Sequence, residues 1–118
     1  MTKINVPDFD DMQNAIDRIM ELTDRKLALD IQLRIKEADI VLNALTDAKY
    51  FVNNKPPSMT FIDSTYKYTG FDGELVSMRE ELAHLVAMSE HARNNFYLMK
   101  SQIDVWRTHT ANERASLI

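Results

Sequence analysis

An all-α fold, a long antiparallel helical hairpin with coiled-coil-like packing, is predicted by three features of this 118-residue chain. Glycine occurs twice and proline three times, where average usage would give roughly 8 and 6. No glycine or proline interrupts the chain between Pro7 and Pro56. The last third carries an apolar stripe that alternates steps of three and four: Leu75, Met78, Leu82, Leu85, Ser89, Ala92, Phe96, Met99, Ile103, Trp106 and Thr110. That is a heptad pattern, the signature of knobs-into-holes packing. The length suits one domain over residues 1–118.

Helix one begins at Pro7-Asp8, where proline suits the first helical turn and Asp8, Asp10 and Asp11 place negative charge on the positive end of the helix dipole. It is expected to span about residues 8–51, roughly 60 Å at 1.5 Å per residue. Asn53-Asn54-Lys55-Pro56-Pro57 closes it, because asparagine tolerates left-handed backbone and proline cannot continue the ladder. The core stripe read for this helix is Leu27, Ile31, Arg34, Ala38, Val41, Leu45 and Ala48, preceded after a four-residue stutter by Phe9, Met12, Ile16, Ile19 and Thr23. Leu22, Leu29, Leu33 and Ile40 fall roughly 140° or more from that stripe, so a single partner helix cannot cover both. These four are therefore expected to form the interface of a homo-oligomer.

The connector, residues 52–71, is rich in β-formers at Ser58-Met59-Thr60-Phe61-Ile62 and Thr65-Tyr66-Lys67-Tyr68-Thr69, with Asp63-Ser64 between them, which predicts a small β-ribbon at the hairpin tip. Helix two then runs over about 72–115, with Asp72 as N-cap and Glu74 in the first turn.

Composition and motifs narrow the function. With 45% apolar and 27% charged residues, and only short apolar runs such as Ile40-Val41-Leu42, far below the roughly 20 a bilayer needs, the chain fits neither disorder nor a bilayer span. The absence of cysteine and of an apolar leader in Met1–Asn5 points to a reducing cytoplasm. Nucleophilic catalysis lacks its residues: there is no Gly-x-Ser-x-Gly elbow, and His84, His91 and His109 all lie on helix two. Glu81 and His84 have the spacing of a bundle metal motif but occupy outward heptad positions. Ile16-Asp17-Arg18-Ile19 loosely resembles the first helix of a helical chorismate mutase, yet Arg34 is the only basic residue on a core stripe, too few cations to clamp a dicarboxylate. The chain is thus expected to be no enzyme and to need no cofactor and no metal.

Charge is more informative. The net charge of −4 conceals blocks of −4, +2, −4 and +2 over residues 1–24, 25–55, 56–90 and 91–118. Arg79, Arg93, Lys100, Arg107 and Arg114 share heptad position e, the last four seven residues apart, a basic line about 30 Å long. Such a line can bridge to acidic residues of a neighbouring helix or track a phosphate backbone, with Asn94, Asn95 and Gln102 nearby. Around the tip, Lys49, Tyr50, Lys55 and Lys67 join cations to aromatic rings, the combination with which proteins hold single strands.

The order of these elements resembles the UvsY family of phage recombination mediators. The similarity runs from about Arg34 to Glu113: Arg34-Ile35-Lys36-Glu37-Ala38 on a long helix, Tyr50-Phe51 with Asn54-Lys55 closing it, a spacer, and a final helix carrying Asn94-Asn95-Phe96-Tyr97-Leu98-Met99-Lys100 through Trp106-Arg107. The resemblance implies a non-catalytic oligomer that gathers single-stranded DNA, competes with a single-strand-binding protein and helps load a RecA-like recombinase. The nucleic-acid-binding residues expected on this basis are Lys49, Tyr50, Lys55, Lys67, Arg93, Lys100, Arg107 and Arg114. The competing class is an oligomeric helical adaptor or phage assembly protein whose partners are proteins.

Overall fold

A computed structural model describes residues 6–117; the leader reading of Met1–Asn5 lies outside them. The described chain is mostly helical and holds no strand. It divides into two compact units, one formed by the chain up to Thr23 together with the part from Ala87 onwards, the other by Asp24–Val86. The long helices α1 (Phe9–Thr46) and α3 (Glu74–Ser116) contribute to both units.

In the first unit α1 starts with a reciprocal cap. The Asp11 amide donates to Asp8 Oδ1 at 2.8 Å and the Asp8 amide donates to Asp11 Oδ2 at 3.1 Å, a carboxylate version of the capping box. Val6, Pro7 and Asp11 border a shallow hollow with Met99 and Gln102 of α3. Ala15, Leu22, Ser89 and Ala92 are buried, and Phe96, Met99 and Ile103 are half-buried. Burial then stops: Trp106, read as core from its heptad position, is 43% exposed.

The second unit packs the rest of α1 antiparallel to the first turns of α3. Leu33 and Ile40 meet Leu75 in a core to which Tyr66, Phe71, Met78 and Leu82 add. The heptad stripe of α3 is therefore inside, as its spacing predicts, but the inner stripe of α1 is not the expected one. Leu22, Leu29, Leu33 and Ile40, assigned above to an oligomer interface, are 1%, 9%, 3% and 5% exposed within the single chain. Leu27, Ile31, Arg34 and Ala38, assigned to the core, face solvent. Burial energetics decide between the two stripes. The observed inner face of the second unit brings in large aliphatics plus Glu37, whose carboxylate finds Arg79 at 2.9 Å. The rejected one would bring in Arg34, and an unmatched buried cation costs far more than an exposed leucine.

The connector also departs from expectation. After Asp47 caps a 3-10 turn at Ala48–Tyr50, Asn53 and Asn54 both adopt positive φ (55° and 62°). Val52 and Lys55 exchange backbone hydrogen bonds of 2.9 and 3.1 Å across them. That is a two-residue turn of the kind asparagine favours. The predicted β-ribbon is absent, and residues 59–69 form a helix, α2, α-helical at Met59–Phe61 and Lys67–Thr69 and π-helical over Ile62–Tyr66. Ser58 starts it, its hydroxyl accepting the Phe61 amide at 3.2 Å. Gly70 stops it at φ 85°. Ile62 and Tyr66, four apart, share its inner face, and that burial overrides the β-propensity of the threonines and aromatics.

The α3 start is capped backwards: the Glu74 carboxylate accepts the Phe71 amide at 3.2 Å and the Asp72 amide at 2.7 Å. Glu74, not Asp72, is thus the capping side chain. Its own backbone amide, then that of Asp72, holds its carboxyl below the usual glutamate range, against a small opposing desolvation.

Candidate nucleic-acid interface

Heptad spacing of cations on a straight helix keeps them on one side, since seven residues fall only about 20° short of two full turns. In the first unit this places Arg93, Lys100, Arg107 and Arg114 along one exposed line of α3. Among the described residues none of the four forms an ion pair within 4.0 Å. Salt bridging within the chain, the bland use of such a line, is therefore not made here. One acid, Asp104, shares the face.

Tyr97 lies on the same side, 59% exposed, with Lys100 Nζ 6.0 Å above its ring. It is a stacking candidate that sequence reasoning passed over, although its place four residues after Arg93 was legible. Asn94, Asn95 and Gln102 lie about 100° or more round the helix from Arg93, and Gln102 borders the hollow beside Asp11. They do not belong to the line.

Arg79, the first cation of the heptad series, is spent on structure in the second unit. Its guanidinium donates to the carbonyl oxygens of Tyr68 (2.6 Å) and Lys67 (2.9 Å) and to Glu37 Oε1 (2.9 Å), and it lies 4.9 Å from the Tyr68 ring centre. It thereby satisfies the orphan carbonyls at the end of α2 while tying that end to both long helices.

The tip residues of the second unit are only partly free. Tyr50 stacks on Phe71 (centroids 3.9 Å, planes 8° apart), meets Tyr66 edge-on at 5.9 Å, and has Lys49 Nζ 5.3 Å above its ring. Phe61 adds a further edge contact to Tyr66 at 5.2 Å. Tyr50 is thus a plug of the tip, and offering its face to a base would require displacing Phe71 or Lys49. Lys49 and Lys55 are exposed and form no ion pair among the described residues. Lys67 is half-buried and lines a shallow groove with Arg34, Glu37, Ala38 and Leu42, away from Tyr50 in role as well as in neighbours.

Among the described residues no group of three or more His, Cys, Asp or Glu is placed to hold a metal ion. Among the described residues no helix is long and apolar enough to cross a membrane. His109 pairs with Glu113 on the surface (3.0 Å). No protein-family model matches the chain, and neither a curated protein nor a solved structure shows significant similarity to it.

Proposed function

We propose that this protein is a non-catalytic single-stranded DNA-binding accessory of recombination, of the UvsY-like mediator type, that helps to load a RecA-like recombinase in competition with a single-strand-binding protein. The observation that carries this reading is the exposed line Arg93, Lys100, Arg107 and Arg114, which has no partner among the described residues. A row of uncompensated cations at steps of about 10 Å matches a phosphate backbone better than an isolated charge would. Tyr97 beside Lys100 supplies an aromatic face for a base. A net charge of −4 repels nucleic acid as a whole. Binding is therefore local, and a flexible single strand follows the line more readily than a rigid duplex, which the acids at the start of α1 in the same unit repel.

The test is a fluorescence-anisotropy titration of single-stranded and duplex oligonucleotides between about 20 and 200 mM salt, in which each lost phosphate contact reduces the salt slope by about 0.7. Lys100→Glu with Arg107→Glu weakens single-strand binding and flattens that slope. Unchanged affinity would favour the second reading, a helical adaptor for protein partners. That reading is favoured by the consumption of Tyr50 in the tip and by the uncovered apolar side chains of α1.

A further inference from the structure

We infer that the outer face of α1 in the second unit is a self-association surface, docking the same face of a second copy of this chain antiparallel to itself about a two-fold axis beside Gln32. A surface helix ordinarily has one apolar face. Here Leu29, Leu33 and Ile40 are buried, yet the opposite side carries Leu27, Ile31, Ile35 and Leu42 with 57%, 50%, 58% and 59% of their surface exposed. They form a continuous stripe about 22 Å long, the kind of contiguous apolar patch that marks an interface.

The flanking charges identify the occupant. Arg25 and Asp39 stand seven residues either side of Gln32 on one flank of the stripe, and Asp30 and Arg34 stand two residues either side of it on the other. In an antiparallel pair related by a two-fold, each flank faces its own copy. Arg25 then meets the partner's Asp39 and Arg34 meets the partner's Asp30, each contact made twice. In this register Ile31 lies about 3 Å along the axis from the partner's Ile35, and Leu27 about 1.5 Å from the partner's Ala38, large beside small. Within one chain Arg25 and Asp39 form no ion pair among the described residues, while Arg34 holds only its neighbour Asp30 at 3.3 Å. Charges symmetric about one residue on both flanks are what a self-complementary interface needs, and an unrelated partner has no use for that symmetry.

One helix pair lies at the small end of stable interfaces, so association belongs in the micromolar range. Sedimentation equilibrium of the full chain from about 1 to 300 µM, without nucleic acid, tests it. Wild type is expected to dimerise. Ile31→Lys with Ile35→Lys raises the dissociation constant by about 100-fold or more, since charge enters the seam, and leaves far-UV helicity unchanged because both side chains are already half exposed. Arg25→Asp and Asp39→Arg each weaken the dimer by about tenfold, and their combination restores it to within about threefold. In this naturally cysteine-free chain, Gln32→Cys forms a disulfide-linked dimer on oxidation and Leu42→Cys does not. A chain that stays monomeric at 300 µM overturns the proposal. So does a dimer indifferent to the two lysines, an association lost only together with helicity, or a charge exchange that fails to restore binding.

Discussion

Replacing Arg79 by methionine keeps the aliphatic stem and removes the guanidinium that links three elements. Three charge-assisted hydrogen bonds disappear: 2.6 and 2.9 Å to the Tyr68 and Lys67 carbonyls, and 2.9 Å to Glu37. Fully buried, bonds of this kind contribute about 1.5–3 kcal/mol each, and stranding one partner of a buried pair costs about 3–5 kcal/mol. The side chains of Arg79 and Glu37 are 29% and 17% exposed, so water reaches both partners and relieves part of the loss. A net destabilisation of about 2–3 kcal/mol follows, or roughly 10 °C in Tm for a chain of this length. Glu37→Gln keeps an acceptor and removes the charge, for about 1 kcal/mol. The double variant Arg79→Met/Glu37→Gln is less destabilised than the two effects added, because the stranded carboxylate is gone. Urea unfolding followed by far-UV circular dichroism, at one fixed protein concentration, measures all four corners of the cycle. An Arg79→Met protein within about 0.5 kcal/mol of wild type would refute the clamp and return Arg79 to the basic line.

Gly70→Ala is expected to cost at least about 1–2 kcal/mol: φ is 85°, and a Cβ there runs into the Glu74 carboxylate, 2.7 Å from Oε1, so the helix stop and the α3 cap fail together, seen as a lower urea midpoint. Ser89→Ala should be neutral or stabilising, by up to about 1 kcal/mol, because the Ser89 hydroxyl is buried without a hydrogen-bond partner; a clear loss of Tm would mean the hydroxyl is bonded in solution. Glu74 titrates below its ordinary value, so its contribution to stability is complete above the unfolded-state value and is lost as pH falls through the lower folded value. Glu74→Gln should accordingly narrow the difference in urea midpoint between pH 7 and pH 3, and an unchanged difference would remove Glu74 from the acid response.

The periodicity of α3 was legible because its heptad positions from Leu75 to Ile103 are apolar but for Ser89, in unbroken steps of three and four, and all of them are buried or half-buried. On α1 two apolar stripes compete, and hydrophobicity alone ranks them nearly equal. Arg34 weighs against the outer stripe, but the term that lets the inner one carry a charge is long-range: Glu37 is accommodated there by Arg79, 42 residues later. A pattern read along one helix contains no such term. The connector failed for a related reason. Alternating β-formers suggested strands, while the Ser58 cap, the Gly70 stop and the i,i+4 pair Ile62 and Tyr66 were the helical signals, and they prevail once the aromatic cluster buries Tyr66. Trp106 shows the opposite limit. Its heptad position is sound, but a core position needs a facing helix, and the exposure of residues 104–109 shows that the described chain offers it little cover.

Valency connects the two proposals without requiring any particular arrangement of the units. Four cations per chain release at most about four counterions, which at physiological salt gives weak non-specific binding. The acidic remainder of the chain weakens it further. A dimer offers two lines to one strand, and a second contact made by an already tethered strand benefits from an effective concentration that a free chain lacks. Single-strand affinity would then rise with protein concentration over the range in which the chain associates. Ile31→Lys with Ile35→Lys, which touches no residue of the basic line, would flatten that rise while leaving the salt slope per chain intact. Lys100→Glu with Arg107→Glu would do the reverse, lowering the salt slope without changing sedimentation. An outer α1 face used only for a foreign protein would abolish the first pattern and keep the second, because the lysine pair would then leave DNA affinity untouched at every concentration.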